Sequence, residues 1–137
     1  VCRGSNAEGA LAVVQALLQS RADLSMRSLS GGTVLISSCA SDYSHPKVLQ
    51  ALLDARANVN APVVPTTGFW RGMMLFSRAA FRMGSQNQML KEFSHLSGST
   101  PLMFAARRGK LIEVQMLLDR RADPWLRNRM GQTTMDV

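Results

Sequence analysis

Apolar positions in the last third of the chain fall into two short runs at helical spacing. Leu102, Ala105 and Ala106 form the first, and Leu111, Val114, Leu117 and Leu118 the second. Thr100-Pro101 reads as a helix start: the threonine oxygen accepts a bond from a free backbone N–H, and a proline in first position gives up a donor that had no partner. Gly109 ends the first helix because glycine tolerates a left-handed turn. Ala122-Asp123-Pro124 leaves the second helix for a polar turn at Arg127-Asn128-Arg129. Gly131-Gln132-Thr133 then repeats Gly98-Ser99-Thr100 at a distance of 33 residues. A period of this size marks stacked supersecondary units.

Weaker copies precede it. Gly31, Thr33, Leu35, Ser38 and Cys39 stand in register, followed by Val48 or Leu49, Leu52-Leu53 and Ala57-Asn58-Val59-Asn60. Two extra residues lie between the helices of this copy, around Asp42-Tyr43-Ser44-His45-Pro46. The first copy is partial: Gly9, Val14, Leu17-Leu18 and Ala22-Asp23. Ala22 to Gly31 and Ala122 to Gly131 are both nine residues. Both chain ends fall inside a repeat, since Val1 aligns with Pro101, so the sequence is expected to be a fragment of a longer array or a marginal short protein with frayed ends.

The Gly-x-Thr-Pro-Leu phrase, the paired alanines, the glycine and the apolar second helix resemble the ankyrin repeat. The likeness is close over 98–137 and weaker over 9–60. Met103 stands where the family has a histidine that makes local hydrogen bonds. The resemblance implies an all-α repeat solenoid of stacked helix–turn–helix units with hairpin-like loops. The expected divisions are a partial repeat at 1–30, a repeat at 31–60, an insertion at 61–97, the best-matching repeat at 98–130 and the start of another at 131–137. One departure recurs: Arg21, Arg56 and Arg121 follow the second helix where the family usually has glycine. A left-handed arginine costs roughly 1 kcal/mol. Either the turn differs or packing absorbs that cost.

Residues 61–97 do not fit the repeat, with about 32 more residues between Ala57 and Gly98 than the nine expected. Phe69, Met73, Phe76, Ala80 and Met83 recur at spacings of 4, 3, 4 and 3, one stripe of a helix. Trp70, Met74 and Phe81 widen it, and Arg71, Arg78 and Arg82 lie opposite. Gly84-Ser85 is expected to end this helix, and a second short helix is expected over 86–93. Such a helix folds back on the stack, lies on an acidic membrane, or fills a partner's groove. Left uncovered, Phe69, Trp70 and Phe76 form an interface patch.

The net charge is +7, and its distribution is uneven. Residues 71–129 carry 11 Lys/Arg against 4 Asp/Glu, while residues 1–70 carry 5 against 4. In the ankyrin family, hairpin tips and the outer side of the first helices line the binding surface. By that resemblance Phe104, Arg107, Arg108, Arg127, Arg129 and Gln132 are contact candidates, joined by Tyr43 and Trp70. The expected function is a protein–protein interaction module with a concave, basic surface for an acidic protein partner. The alternative is nucleic-acid or anionic-lipid binding through the same basic half. Membrane attachment and a small-molecule substrate are not favoured.

No catalytic triad, phosphate loop or carboxylate pair is visible, so no enzyme, catalytic residue or cofactor is expected. His45 and His95 are isolated, and Cys2 and Cys39 lack metal-ligand spacing, so no metal is expected. Cys39 reads as core and Cys2 as an unpaired thiol. With no signal-peptide pattern at the start, this points to an intracellular, cytoplasmic setting, with the nucleus also compatible.

Overall fold

A computed structural model describes residues 3–42 and 45–137, the side chains of 3–7 aside. Cys2 and Tyr43 therefore lie outside the described residues. Among these, seven helices form and no strands: α1 (Arg3–Gln19), α2 (Val34–Ala40), α3 (Pro46–Asp54), α4 (Gly68–Arg82), α5 (Gln88–Leu96), α6 (Pro101–Arg107) and α7 (Leu111–Asp119).

The helix starts follow side-chain chemistry. Thr33 and Thr100 accept from Ile36 N–H and Met103 N–H, each at 3.4 Å. Thr67 accepts from Trp70 N–H, and Asn87 caps α5 through Met89 N–H and Leu90 N–H. Each cap satisfies a donor that the helix cannot pair internally. α1 departs from the expected register. Gly9, aligned with Gly109, lies inside an unbroken helix with open space around it. Ala7, Ala10, Ala12 and Ala16 favour continuous helix, and no neighbour packs at Gly9 to force a turn.

Two layers result. α2 packs on α6, while α3 lies between α1 and α7. Leu35, Cys39, Leu49, Leu52, Leu102, Met103, Ala105 and Leu117 are at most 2% exposed and fill the space between the layers. Met103, at the family's histidine position, is part of this buried set.

The three arginine turns keep the left-handed form. Arg21, Arg56 and Arg121 have φ of 57°, 62° and 62°. In each, the arginine N–H donates to the carbonyl three residues back, and the next alanine N–H to the carbonyl five back, at 2.9–3.1 Å. This pair of bonds is a Schellman cap, which satisfies the last helical carbonyls and offsets the cost of the arginine conformation. The residue after the alanine then turns the chain again: Asp23, Asn58 and Asp123 accept from the N–H two residues on.

The hairpins that follow are also alike. Ser28 N–H donates to Gly32 O and Gly31 N–H to Ser28 O, with Arg27 and Thr33 bridged as an antiparallel pair. Asn128, Gly131 and Gln132 make the same two bonds. Val63, Gly98 and Ser99 make them as well: Val63 N–H to Ser99 O and Gly98 N–H to Val63 O, both at 2.9 Å. Where the first hairpin holds Leu29 and Ser30 at its tip, the middle one holds residues 64–97.

Candidate partner-binding surface

The excursion at 64–97 is a helical hairpin. α4 packs on α5, with Met74, Ser77, Ser94 and His95 buried. Small serines at the contact let the two backbones approach closely. Ser77 Oγ donates to Met73 O and Ser94 Oγ to Lys91 O, so neither hydroxyl is left unpaired. Trp70 is half-buried, edge-on to Phe69 and tilted on Phe93.

The hairpin is fastened to the stack. Glu92 pairs with Arg107 of α6, and His95 Nδ1 lies 2.6 Å from Gln132 Oε1 of the last hairpin. Arg78 Nη2–H donates to Arg129 O at 3.0 Å, and Arg129 N–H donates to Ser97 O at 3.0 Å. Phe81 stands edge-on to the His95 ring.

These contacts fix where the sequence candidates sit. Phe104 is 8% exposed and belongs to the core, so it presents nothing to a partner. On the inner layer where α6 meets α2, burying its ring is worth more than displaying it. Arg107 keeps 23% of its side-chain surface and is paired with Glu92. Arg108 is more open, paired with Asp42 between α2 and α3. Arg127 and Arg129 are exposed at the last hairpin, where Arg127 Nη1–H donates to Gly131 O. Gln132 is half-buried between His95 and Asn128.

The α4 stripe is half right. Phe69, Phe76 and Met83 are 73%, 65% and 88% exposed, while Trp70, Met74, Ser77 and Phe81 face inward. The buried face is therefore turned by about one residue, roughly 100°, from the stripe centred on Phe69 and Phe76. Sequence reasoning missed that Arg78 reaches Arg129 and that Arg71 lines a pocket with both. Their spacing of seven on one helix was the available signal.

Charge pairing is widespread on the basic half. Arg120 pairs with Asp54 of the previous outer helix, and its guanidinium holds the Asp54 carboxyl below the usual carboxylate range. Lys110 reaches Ser41 O and the buried Glu113. The Cys39 thiol is pushed up to about 12, chiefly by burial and then by the Glu113 charge, and it is inert at neutral pH. Among the described residues no group of three or more His, Cys, Asp or Glu is arranged to hold a metal ion. No helix of the described residues is long and apolar enough to cross a membrane.

A search of curated proteins returns no match. The family model for ankyrin repeats (many copies) matches residues 90–137, from within α5 through the last hairpin. Together with the two helical layers and the recurring turns, that match identifies residues 90–137 as ankyrin repeat sequence and the chain as an all-α repeat solenoid.

Proposed function

We propose that the chain is a protein–protein interaction module whose binding surface centres on the exposed edge of α4. Ankyrin repeats are in general protein-binding scaffolds, which supports the class of activity. The observation that carries the surface is the strip of Phe69, Phe76 and Met83, each at least 65% exposed and seven residues apart along one edge of α4. A contiguous apolar edge on a folded surface marks an interface. The exposed Arg82, Arg127 and Arg129 keep the surrounding surface basic, which suits an acidic protein partner and speeds encounter. The work of this surface is binding rather than catalysis, and the buried, unpaired Cys39 suits a reducing intracellular setting.

The inserted segment takes the place of a hairpin tip, where family scaffolds present contact residues, so residues 64–97 serve as the recognition element. The nucleic-acid alternative has less support. Arg107, Arg108, Lys110 and Arg120 are engaged by carboxylates of the same chain, which withdraws these four cations from phosphate binding.

The test is affinity capture from nuclease-treated extract with the native chain and with a Phe69→Ser, Phe76→Ser variant. Both side chains are exposed, so the variant is expected to fold as the native chain does. Loss of a nuclease-resistant protein partner from the variant supports the reading. Capture that disappears with nuclease, and weakens log-linearly with salt, moves the function to nucleic acid.

A further inference from the structure

The structure assigns a phosphate-binding pocket to the seam between α4 and the last hairpin. It takes the phosphate of a phosphorylated side chain on a protein partner.

The pocket encloses about 280 Å³ and is lined by Val64, Pro65, Arg71, Met74, Leu75, Arg78, Ser97 and Arg129. Three arginines and no carboxylate line it. That is unlike the rest of the basic half, where the four ion pairs of the described residues engage Arg107, Arg108, Lys110 and Arg120. The Arg78 guanidinium is fixed by donation from Nη2 to Arg129 O. Its Nε–H is buried and has no hydrogen-bond partner. A buried, unpaired donor on a permanent cation is costly, and an anion beside it removes that cost. Arginine's planar fork matches phosphate oxygens in bidentate fashion, and charge-assisted bonds of this kind are about twice as strong as neutral ones. A dianionic phosphate group meets three positive charges better than a single carboxylate does. The volume lies just under the ~300 Å³ lower bound of drug-sized pockets, which fits a group of this size rather than a whole cofactor.

The surroundings select the source. Leu75, Val64 and Pro65 give the pocket an apolar lip able to hold the residues flanking a modified side chain. A nucleic-acid strand would need further unpaired cations at regular spacing. A flat anionic membrane would need the pocket and the apolar strip on the same side. Arg78 is nine positions from Phe69, which places the two roughly 180° apart around α4. This assignment rests on the protein-interaction reading, and its first experimental arm is independent of that reading.

In that arm, inorganic phosphate is titrated into the full chain while the arginine Nε–H signals are followed by NMR, with chloride as control. The expected result is a saturable shift at Arg71, Arg78 and Arg129. Arg71→Gln, at an exposed residue whose side chain makes no internal hydrogen bond, weakens it about tenfold, as loss of one charged hydrogen bond predicts. No saturable shift, or one that chloride reproduces, overturns the pocket. So does undiminished binding by a folded Arg71→Gln, Arg129→Gln double variant.

In the second arm, the chain is applied to an immobilised phosphoserine peptide library, its unphosphorylated copy, and phosphatidylcholine vesicles with and without phosphatidylinositol bisphosphate. Preference for phosphorylated peptides, lost in Arg71→Gln, supports the assignment. Binding to the phosphoinositide vesicles without any phosphopeptide preference overturns it in favour of a lipid headgroup. If both arms fail while the nuclease-resistant partner is still captured through Phe69 and Phe76, the interaction module stands and the phosphate pocket falls.

Discussion

The first and middle hairpins share two hydrogen bonds, from Ser28 and Gly31 in one and from Val63 and Gly98 in the other. Their tips differ: the first spans two residues and the second spans 64–97. The stack tolerates this because the ends of the excursion are held by the same pair of bonds that closes a tight turn. Loop-closure entropy also grows only slowly with length. Everything the stack needs lies below the tip, and everything added lies above it. The two parts differ in kind. The stack buries whole leucines and methionines on both layers, whereas α4 and α5 bury Met74 with two serines and leave Phe69, Phe76 and Met83 outside. An element with large apolar groups exposed and a thin core of its own is suited to recognition.

The sharpest contrast comes from truncating one apolar side chain on each side. Leu117 is fully buried between the layers, so Leu117→Ala is expected to destabilise the chain by about 2–5 kcal/mol. Phe76→Ala, at a 65% exposed position, is expected to stay within about 0.5 kcal/mol. Urea unfolding of both variants measures this. Equal losses would mean that α4 belongs to the core.

Next comes the closeness of the hairpins. A Cβ on Gly31, where φ is +91°, would lie 2.0 Å from Val64 O, the backbone of the neighbouring tip. Gly84 has a similar φ of +83° with open space around it. Gly31→Ala is expected to cost about 2–3 kcal/mol, strain and clash together, and Gly84→Ala about 1 kcal/mol. Thermal melts of the two variants separate close approach from conformation.

A smaller effect of opposite sign is expected at the arginine turns. Arg121→Gly relieves a left-handed side chain and stabilises by roughly 0.5–1 kcal/mol, less the entropy that glycine adds to the unfolded chain. A loss of stability would show that the Arg121 side chain does more than pass through the turn.

The smallest effect is in acid. Hydrogen bonds hold three carboxyls below their ordinary value of 3.8: Asp23 by Ser25, Asp54 by Arg120, and Asp136 by the Thr133 N–H and hydroxyl. Their folded values are depressed, so their contribution is present above 3.8 and is lost as pH falls through the folded values. Melting temperature should hold level down to about pH 4 and decline below it. A fall already under way between pH 7 and 5 would point to a different group.

Much of the stack was legible in the sequence because its signals are local. Thr33 and Thr100 cap, Gly109 and Gly131 turn at positive φ, and Leu17-Leu18, Leu52-Leu53 and Leu117-Leu118 each stand just ahead of an arginine turn. The three arginines after the second helices were read as an anomaly, and the turn resolved it by keeping its hydrogen bonds at the strained φ. Two things were not legible. The apolar arc of α4 is wider than any one contact, so periodicity locates the arc and not the half that α5 covers. The pocket needs Arg71, Arg78 and Arg129 together, residues brought close by the docking of an insertion whose place in sequence says nothing of its orientation. Phe104 shows the reverse hazard: a position exposed in the family pattern is filled here by a ring that the core takes in.

The most direct test replaces residues 64–97 with the Leu-Ser tip of the first hairpin and reads folding and partner capture together. A single cooperative unfolding transition with partner capture lost is the expected result, since the stack closes without the excursion and the proposed recognition surface lies in it. Capture retained by the folded, shortened chain would contradict the account, and so would a chain that no longer folds.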